Sequence, residues 1–244
     1  MPTQGQVSLW GEWGVTRIRR RIILRRRCQF AAPPSYRISQ NVFRTGSPQA
    51  TLSGTPFSSS GYQSYLLTGL ISKNSFGRYI ETADHATNSY LIGLYVGCKL
   101  VSSLRLQIGS TTTPNFSSLH LFPHVLKALL EGNRTILDMG CVAADGGQSG
   151  LYVWLPYLAL RPWIMAAEYF HADYIVAATR PEYQPFYQRA LGCEVHSDLR
   201  QAPHHTGRVA LVTLDFATSA NGLYQNLPFL RSTPAERQQL FERK

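Results

Sequence analysis

Two residues of this chain have side chains that can move a proton and lie in or next to predicted strands. Asp138 falls within residues 134–144, which read as a central strand. Tyr187 lies on a short helix that follows the buried-strand pattern of residues 174–179 and stops at Gly192. A carboxylate can accept a proton and a phenol can donate one, so these residues suggest acid–base chemistry. The alternative is structural: a hydrogen-bonded carboxylate in a strand and an aromatic side chain in the core.

The cysteines and histidines predict neither a metal site nor a thiol nucleophile. The four cysteines are far apart and form no Cys-x-x-Cys pair, which excludes a zinc knuckle or a disulfide framework: Cys28, Cys98, Cys141 and Cys193. This usage fits a reducing cytoplasm. Cys141 has no histidine at a suggestive spacing. The pair His204 and His205 lies in a predicted loop without further ligands, so we expect it to be exposed.

The elements that position these residues alternate between strand and helix patterns. Residues 90–96 and 100–108, joined by a tight turn, predict an antiparallel hairpin. Residues 122–130 have apolar side chains at helical spacing and stop at Gly132. The longest apolar run, residues 151–170, contains two prolines and two charged residues, so it predicts a core helix and not a membrane span.

Two further strands are predicted after the Tyr187 helix, at residues 194–200 and 208–216. The resulting order ββ-α-β-α-β-α-ββ predicts an α/β (α+β) fold with a mixed, mostly antiparallel central sheet flanked by helices.

Three sequence motifs together resemble a known family. The pattern Arg-Pro-x-x-x-x-Phe-Tyr-x-x-x-Leu-Gly occupies residues 180–192, the segment Tyr62–Asn74 precedes Asp84 and Asn88, and Leu-Arg-Leu lies at residues 104–106. This combination resembles the N-acyl amino acid synthases of the FeeM type. They belong to the GCN5-related N-acyltransferase (GNAT) superfamily and are related to the autoinducer synthases. The resemblance spans about residues 61–216.

The resemblance implies an acyltransferase and assigns roles to residues. Asp138 matches the family's catalytic Glu in charge, with a shorter side chain that makes a bridging water more favourable than direct proton abstraction. Tyr187 matches the tyrosine that serves as general acid beside the donor sulfur. Arg105 and Asp84 are assigned to the acceptor, Arg105 either binding a carboxylate bidentately or pairing with Asp84 or Asp138, as in an ordinary surface ion pair. The acyl and pantetheine groups are assigned to Met139, Cys141, Val142, Ala143 and Phe186.

The expected donor is acyl carrier protein, carrying the acyl group as a phosphopantetheine thioester, with no bound cofactor and no metal. Residues 146–150 contain glycines but lack the spacing with which coenzyme A-dependent relatives hold a pyrophosphate. The candidate docking charges for an acidic carrier are Lys127, Arg134, Arg161 and Arg180. The expected acceptor is the amino group of an amino acid or similar amine.

The charge of the chain is concentrated near its start. Of the formal net charge of +10, residues 1–50 hold nine arginines and one acid, so the remainder is nearly neutral. We therefore expect a basic, disordered extension at 1–58, an acyltransferase domain at 59–220, and a C-terminal tail or helix at 221–244. Nucleic acid is a less favoured partner, and a cytoplasmic protein is expected.

Three alternatives stay open at this point. The chain could resemble an acyl-homoserine lactone synthase or a coenzyme A-dependent N-acetyltransferase. A third interpretation is a degenerate, non-catalytic protein whose arginine-rich segment binds nucleic acid.

Overall fold

A sheet of seven strands organises the part of the chain that the structure describes. The computed structural model describes residues 36–40, 56–96, 98–144, 155–203 and 205–242. The strands are β1 (Tyr36–Gln40), β2 (Ser89–Val96), β3 (Lys99–Gly109), β4 (Ile136–Ala144), β5 (Tyr174–Thr179), β6 (Glu194–Gln201) and β7 (Arg208–Asp215). Their order is β1-β2-β3-β4-β5-β7-β6, and only the β4–β5 pair is parallel. The predicted mixed, mostly antiparallel sheet is confirmed.

Helices flank the sheet. They are α1 (Pro56–Leu67), α2 (Ser117–Leu121), α3 (Pro123–Leu130), α4 (Leu155–Tyr169), α5 (Gln184–Leu191), α6 (Phe216–Asn226) and α7 (Pro234–Phe241). Local chemistry accounts for several of their ends. Gly192 ends α5 in the left-handed conformation, with φ of 76°, which glycine adopts without steric cost. Thr233 and Glu236 form a reciprocal capping box at the start of α7.

Side chains along β3 and β4 point alternately to the two faces of the sheet, so that apolar residues lie on one face and polar residues on the other. Leu104, Leu106 and Met139 pack with α4 in the largest apolar cluster. The intervening residues Arg105 and Asp138 point to the opposite face, because successive strand residues alternate sides. A polar strip therefore lies on the second face of an otherwise apolar sheet.

Helix α4 fills the centre of the first face. It begins at Leu155 with Pro156 in its first turn and continues through Pro162. Proline is tolerated in a first turn because the amides there have no intrahelical partner. Trp163 and Ile164 are fully buried, so the predicted core helix is confirmed. Among the described helices, none combines the length and apolar character needed to cross a membrane.

Strand β1 lies inside the segment that the sequence analysis assigned to a disordered extension. Residues 36–40 pair antiparallel with β2, Ile38 opposite Leu94. The rest of residues 1–55 lies outside the described part. A five-residue edge strand was missed because its neighbours in sequence are rich in Gly, Pro and Ser, which predict a loop.

The C-terminal segment, expected as a tail or a helix at residues 221–244, contains the end of α6 and helix α7. The predicted boundary at residue 220 falls within α6. Phe241 of α7 is 1% exposed, and its ring lies 5.5 Å from that of Phe170 and 5.9 Å from that of Tyr90. These aromatic contacts make α7 part of the main core.

Candidate active site

Strands β4 and β5 separate at the centre of the sheet. Their pairing ends at Met139 opposite Ala177, although β4 continues to Ala144 and β5 to Thr179. Facing backbone groups of two separating strands can bind an extended chain, as at a sheet edge. We call this opening the β4–β5 cleft.

A bulge in β4 lies at the same point. Ser103 is opposite Ala143, whereas Arg105 is opposite Gly140, so β4 has one residue more than β3 between these pairs. Cys141 takes up the extra residue with a φ of 50°. The left-handed conformation costs a non-glycine residue about 1–2 kcal/mol. The bulge bends β4 away from its neighbour, which is consistent with the opening of the cleft.

Two cavities meet at this cleft. The small cavity, about 120 Å³, lies between the separated strands, α1 and α5, and its wall includes Tyr65, Val142, Phe186 and Tyr187. The large cavity, about 1090 Å³, lies beneath residues 71–86. Their walls share the residues at the cleft: Met139, Gly140, Cys141, Ala178, His205 and Val209. A ligand passing through the cleft can therefore reach both.

Asp138 lies on the inner wall of the large cavity and is 1% exposed. Its carboxylate accepts hydrogen bonds from the Ser118 amide at 2.8 Å and the Ser118 hydroxyl at 2.7 Å. Burial raises the pKa of Asp138, and the two hydrogen bonds from Ser118 oppose that rise only in part. A raised pKa brings a carboxylate closer to the range in which it exchanges protons near neutral pH.

The start of α2 holds this arrangement together. The Ser117 amide and hydroxyl donate to Gln107 Oε1 at 3.1 and 2.7 Å, and Gln107 lies opposite Asp138 in the β3–β4 register. The fully buried ring of Phe116 lies against Gly109, where a Cβ would come within 2.2 Å of it. Glycine at position 109 thus lets the α2 start approach the sheet.

Arg105 forms a buried ion-pair cluster in the same wall. It is 2% exposed, with Nη1 2.7 Å from Asp84 Oδ1 and Nη2 2.7 Å from Glu81 Oε2. Nη2 also donates to Ser117 Oγ at 3.0 Å. The expected pairing with Asp84 is therefore present, but the expectation of a surface pair is wrong, because the path of residues 79–88 covers the guanidinium.

Glu81 joins this cluster to Tyr79 and His205. The Tyr79 hydroxyl donates to Glu81 Oε1 and lies 2.9 Å from His205 Nε2. Burial opposes ionisation of Glu81, but the Arg105 guanidinium and the Tyr79 hydrogen bond outweigh it and hold its pKa below the ordinary value. Glu81 is therefore a fixed anion of the cavity wall.

Tyr187 lines the small cavity and is 9% exposed. Its ring meets Trp163 edge to face at a centroid distance of 6.0 Å, which holds it in place. Burial raises the pKa of Tyr187 and keeps the phenol protonated. A positioned, protonated hydroxyl in this wall can donate a hydrogen bond to a ligand in the cleft.

The other predicted site residues divide between the two cavities. Met139 and Cys141 line both, and Val142 and Phe186 line the small one. Ala143 instead packs among Tyr62, Tyr65 and Ile71. Burial raises the pKa of the Cys141 thiol well above its ordinary value, which disfavours the thiolate form.

The predicted docking charges have different surroundings. Lys127 and Arg134 are exposed. Arg161 donates to Glu236 at 2.9 Å and to the Phe229 carbonyl at 3.0 Å. Its guanidinium is therefore paired inside the fold, which makes it a weaker candidate for binding a carrier protein. Arg180 pairs with Glu182 at 3.1 Å. The glycine-rich residues 146–150, on which the donor expectation rests, lie outside the described residues.

The residues of the cavity wall that sequence reasoning missed include Tyr79, Glu81 and His205. Asp84 carried a local signal for this turn, since an acidic residue three positions after residue 81 can accept from its amide, as in the observed bond from the Glu81 amide to Asp84 Oδ2, 2.8 Å. His205, expected to be exposed, has a side chain only 19% exposed. The Thr206 amide beside it donates to the Leu70 carbonyl at 2.9 Å, a long-range contact that no local pattern predicts. His204 lies outside the described residues.

Comparison with known proteins identifies the family of this chain. The model of the family "N-acyl amino acid synthase FeeM" matches residues 61–215. The solved structure of FeeM, an N-acyl amino acid synthase from uncultured soil microbes, is similar with a TM-score of 0.58 at 14% identity, covering 77% of this chain and 94% of that one. The sequence has no match among curated proteins.

Two further solved structures are less similar. The AHL synthase LasI has a TM-score of 0.49 at 16% identity, covering 78% of this chain and 94% of that one. A GNAT-family protein from Desulfovibrio desulfuricans has a TM-score of 0.45 at 13% identity, covering 74% and 99%. The family match extends over more than half of the chain, so the chain belongs to the N-acyl amino acid synthase FeeM family and is an acyltransferase with a GNAT-like fold.

Proposed function

We propose that this acyltransferase moves a fatty acyl group from the phosphopantetheine arm of acyl carrier protein to the amino group of an amino acid or similar amine. The observation that carries the proposal is the junction of two cavities at the β4–β5 cleft, one narrow and one wide. We assign the extended thioester arm to the narrow side. The wide side, about 1090 Å³, slightly exceeds the usual range of about 300–1,000 Å³ for small-molecule sites. It therefore has room for an acyl chain together with an acceptor.

The proposed reaction joins the thioester on the narrow side of the junction to the acceptor amine on the wide side. The neutral amine attacks the thioester carbonyl carbon, a C–N bond forms and the C–S bond breaks. The nitrogen loses one proton and the sulfur gains one. Holding both reactants at the cleft supplies much of the rate, since it makes the attack effectively unimolecular.

Asp138 and Tyr187 suit the two proton transfers. Asp138, in the wall of the large cavity, takes the amine proton, with a water as bridge because its side chain is short. Tyr187, in the wall of the small cavity, hydrogen-bonds to the departing sulfur. The raised pKa of Tyr187 keeps the phenol protonated, so it can stabilise the forming thiolate with a hydrogen bond, while the proton that Asp138 takes from the amine balances the one that the sulfur gains through solvent.

The choice of acyl carrier protein over coenzyme A rests on the sequence of residues 146–150, whose glycine spacing differs from that of pyrophosphate-binding loops. The exposed side chains of Lys127 and Arg134 remain candidate contacts for an acidic carrier.

The test incubates the full chain with dodecanoyl or hexadecanoyl thioesters of acyl carrier protein or coenzyme A, each with the twenty amino acids. Mass spectrometry quantifies N-acyl products. The double variant Asp138→Asn/Tyr187→Phe controls for non-enzymatic acylation. We expect an N-acyl amino acid to form faster from the carrier-protein thioester. Faster use of the coenzyme A thioester would contradict the proposal that acyl carrier protein is the donor. Absence of any N-acyl amino acid would contradict the proposal that an amino acid is the acceptor.

A further inference from the structure

The guanidinium of Arg105 is poorly placed to bind the acceptor's carboxylate. Both of its terminal nitrogens are already bonded, Nη1 to Asp84 and Nη2 to Glu81 and Ser117. A further carboxylate approaching Arg105 would meet two negative charges within a few ångströms, and like charges repel strongly in a partly buried wall. An amino acid acceptor therefore requires a different cation.

Lys73 and Arg78 supply two cations on the wall of the same cavity. Both side chains are exposed, whereas Asp138 on the inner wall is 1% exposed, which places the two cations at the mouth. Within the described residues, neither side chain forms an ion pair. Unlike Arg105, they keep their charge available for a ligand.

A hydrogen-bonded turn lies between these two residues. Asn74 Nδ2 donates to the Arg78 carbonyl at 2.9 Å, and the Phe76 amide donates to Asn74 Oδ1 at 3.1 Å. Gly77 allows the turn with a φ of 61°. The Asn74 amide donates at 3.0 Å to the hydroxyl of the buried Tyr62, which ties the turn to α1. Lys73 and Arg78 thus flank a closed turn, which we call the rim turn (residues 73–78).

We propose that Lys73 and Arg78 bind the carboxylate of the acceptor, so that the rim turn selects α-amino acids over amines that lack an acid group. This inference rests on the proposed function. The planar guanidinium of Arg78 can donate two parallel hydrogen bonds to a carboxylate. The ammonium of Lys73 can donate one more charge-assisted hydrogen bond. With its carboxylate held by these side chains, the acceptor keeps its amino group in the cavity whose wall also includes Asp138.

The experiment measures steady-state kinetics with the amino acid that the full chain acylates fastest and with the corresponding decarboxylated amine. The variants are Lys73→Gln, Arg78→Gln and their combination, with Arg78→Lys as the conservative change. Arg189→Gln is the matched control, because Arg189 is an exposed arginine near the end of α5. Thermal midpoints show whether each variant remains folded.

We expect the double variant to raise KM for the amino acid at least tenfold, with kcat nearly unchanged. KM for the decarboxylated amine should not change, Arg78→Lys should restore part of the affinity, and Arg189→Gln should behave as the parent. An unchanged KM for the amino acid in a folded double variant, or an equal rise for both acceptors, would overturn the proposal. If the parent chain acylates amines but no amino acid, the proposed acceptor itself fails.

Discussion

The carboxylate of Asp138 and the backbone of Ser118 are in direct contact: the Ser118 amide donates to Asp138 Oδ2 at 2.8 Å. This bond joins the centre of the sheet to the first turn of α2. Asp138 therefore has a structural role as well as the proposed catalytic one, and an experiment must separate the two.

Asp138→Asn separates them. Asparagine keeps the shape and can still accept from the Ser118 amide, but it takes up no proton near neutral pH. We expect turnover to fall about a hundredfold or more, as for loss of a general base, with little change in the free energy of unfolding. Ser118→Ala is the counterpart, since it removes one hydrogen bond at a cost of about 1 kcal/mol while leaving the carboxylate in place. Full turnover in Asp138→Asn would show that Asp138 has only a structural role.

Tyr187→Phe removes the proposed donor to the sulfur and keeps the ring that packs on Trp163. Turnover is expected to fall about a hundredfold, and the thermal midpoint should be nearly unchanged. Tyr224→Phe should show the opposite pattern, because the Tyr224 hydroxyl bonds to Glu168 and neither residue lines either cavity. It should lose stability and retain turnover. Equal turnover in the two variants would show that Tyr187 is only a packing residue.

The ionisation of Glu81 predicts a loss of stability in acid. Its folded-state pKa lies below the ordinary value of 4.5, so its contribution to stability is present above that value and is lost as the pH falls through the lower folded-state value. Chemical denaturation between pH 7 and pH 3 should therefore show a steeper decline for the parent chain than for Glu81→Gln. Parallel declines would mean that the Arg105 pair contributes nothing to folding.

Truncation tests the first fifty-eight residues. Deleting residues 1–35 should leave the thermal midpoint nearly unchanged, because that segment is expected to bury no core. Deleting residues 1–58 removes β1 and the start of α1, and it exposes the edge of β2, so cooperative unfolding should occur at a lower temperature. A midpoint that is the same after both deletions would show that β1 contributes no stability.

Local patterns were sufficient for much of the fold. The strand at residues 174–179 and the hairpin of β2 and β3 were predicted almost to their observed ends, because apolar alternation and turn residues act within a few positions. The same patterns placed Asp138 on β4 and Tyr187 on α5. The family resemblance then predicted that both are site residues, which stays a prediction.

The tertiary structure alone decided how these residues meet. Glu81 and Arg105 are far apart in sequence, and their pairing depends on the path of the connection that leads into β2. Likewise, the β4–β5 cleft depends on a bulge at Cys141 and on where two strands separated in sequence by α4 stop pairing. The alternation of apolar and polar residues along a strand specifies which face of the sheet each side chain occupies. The pairing register and the paths of the loops are set by contacts between distant segments. For this reason the cleft, the buried ion-pair cluster and the rim turn emerged only from the folded chain.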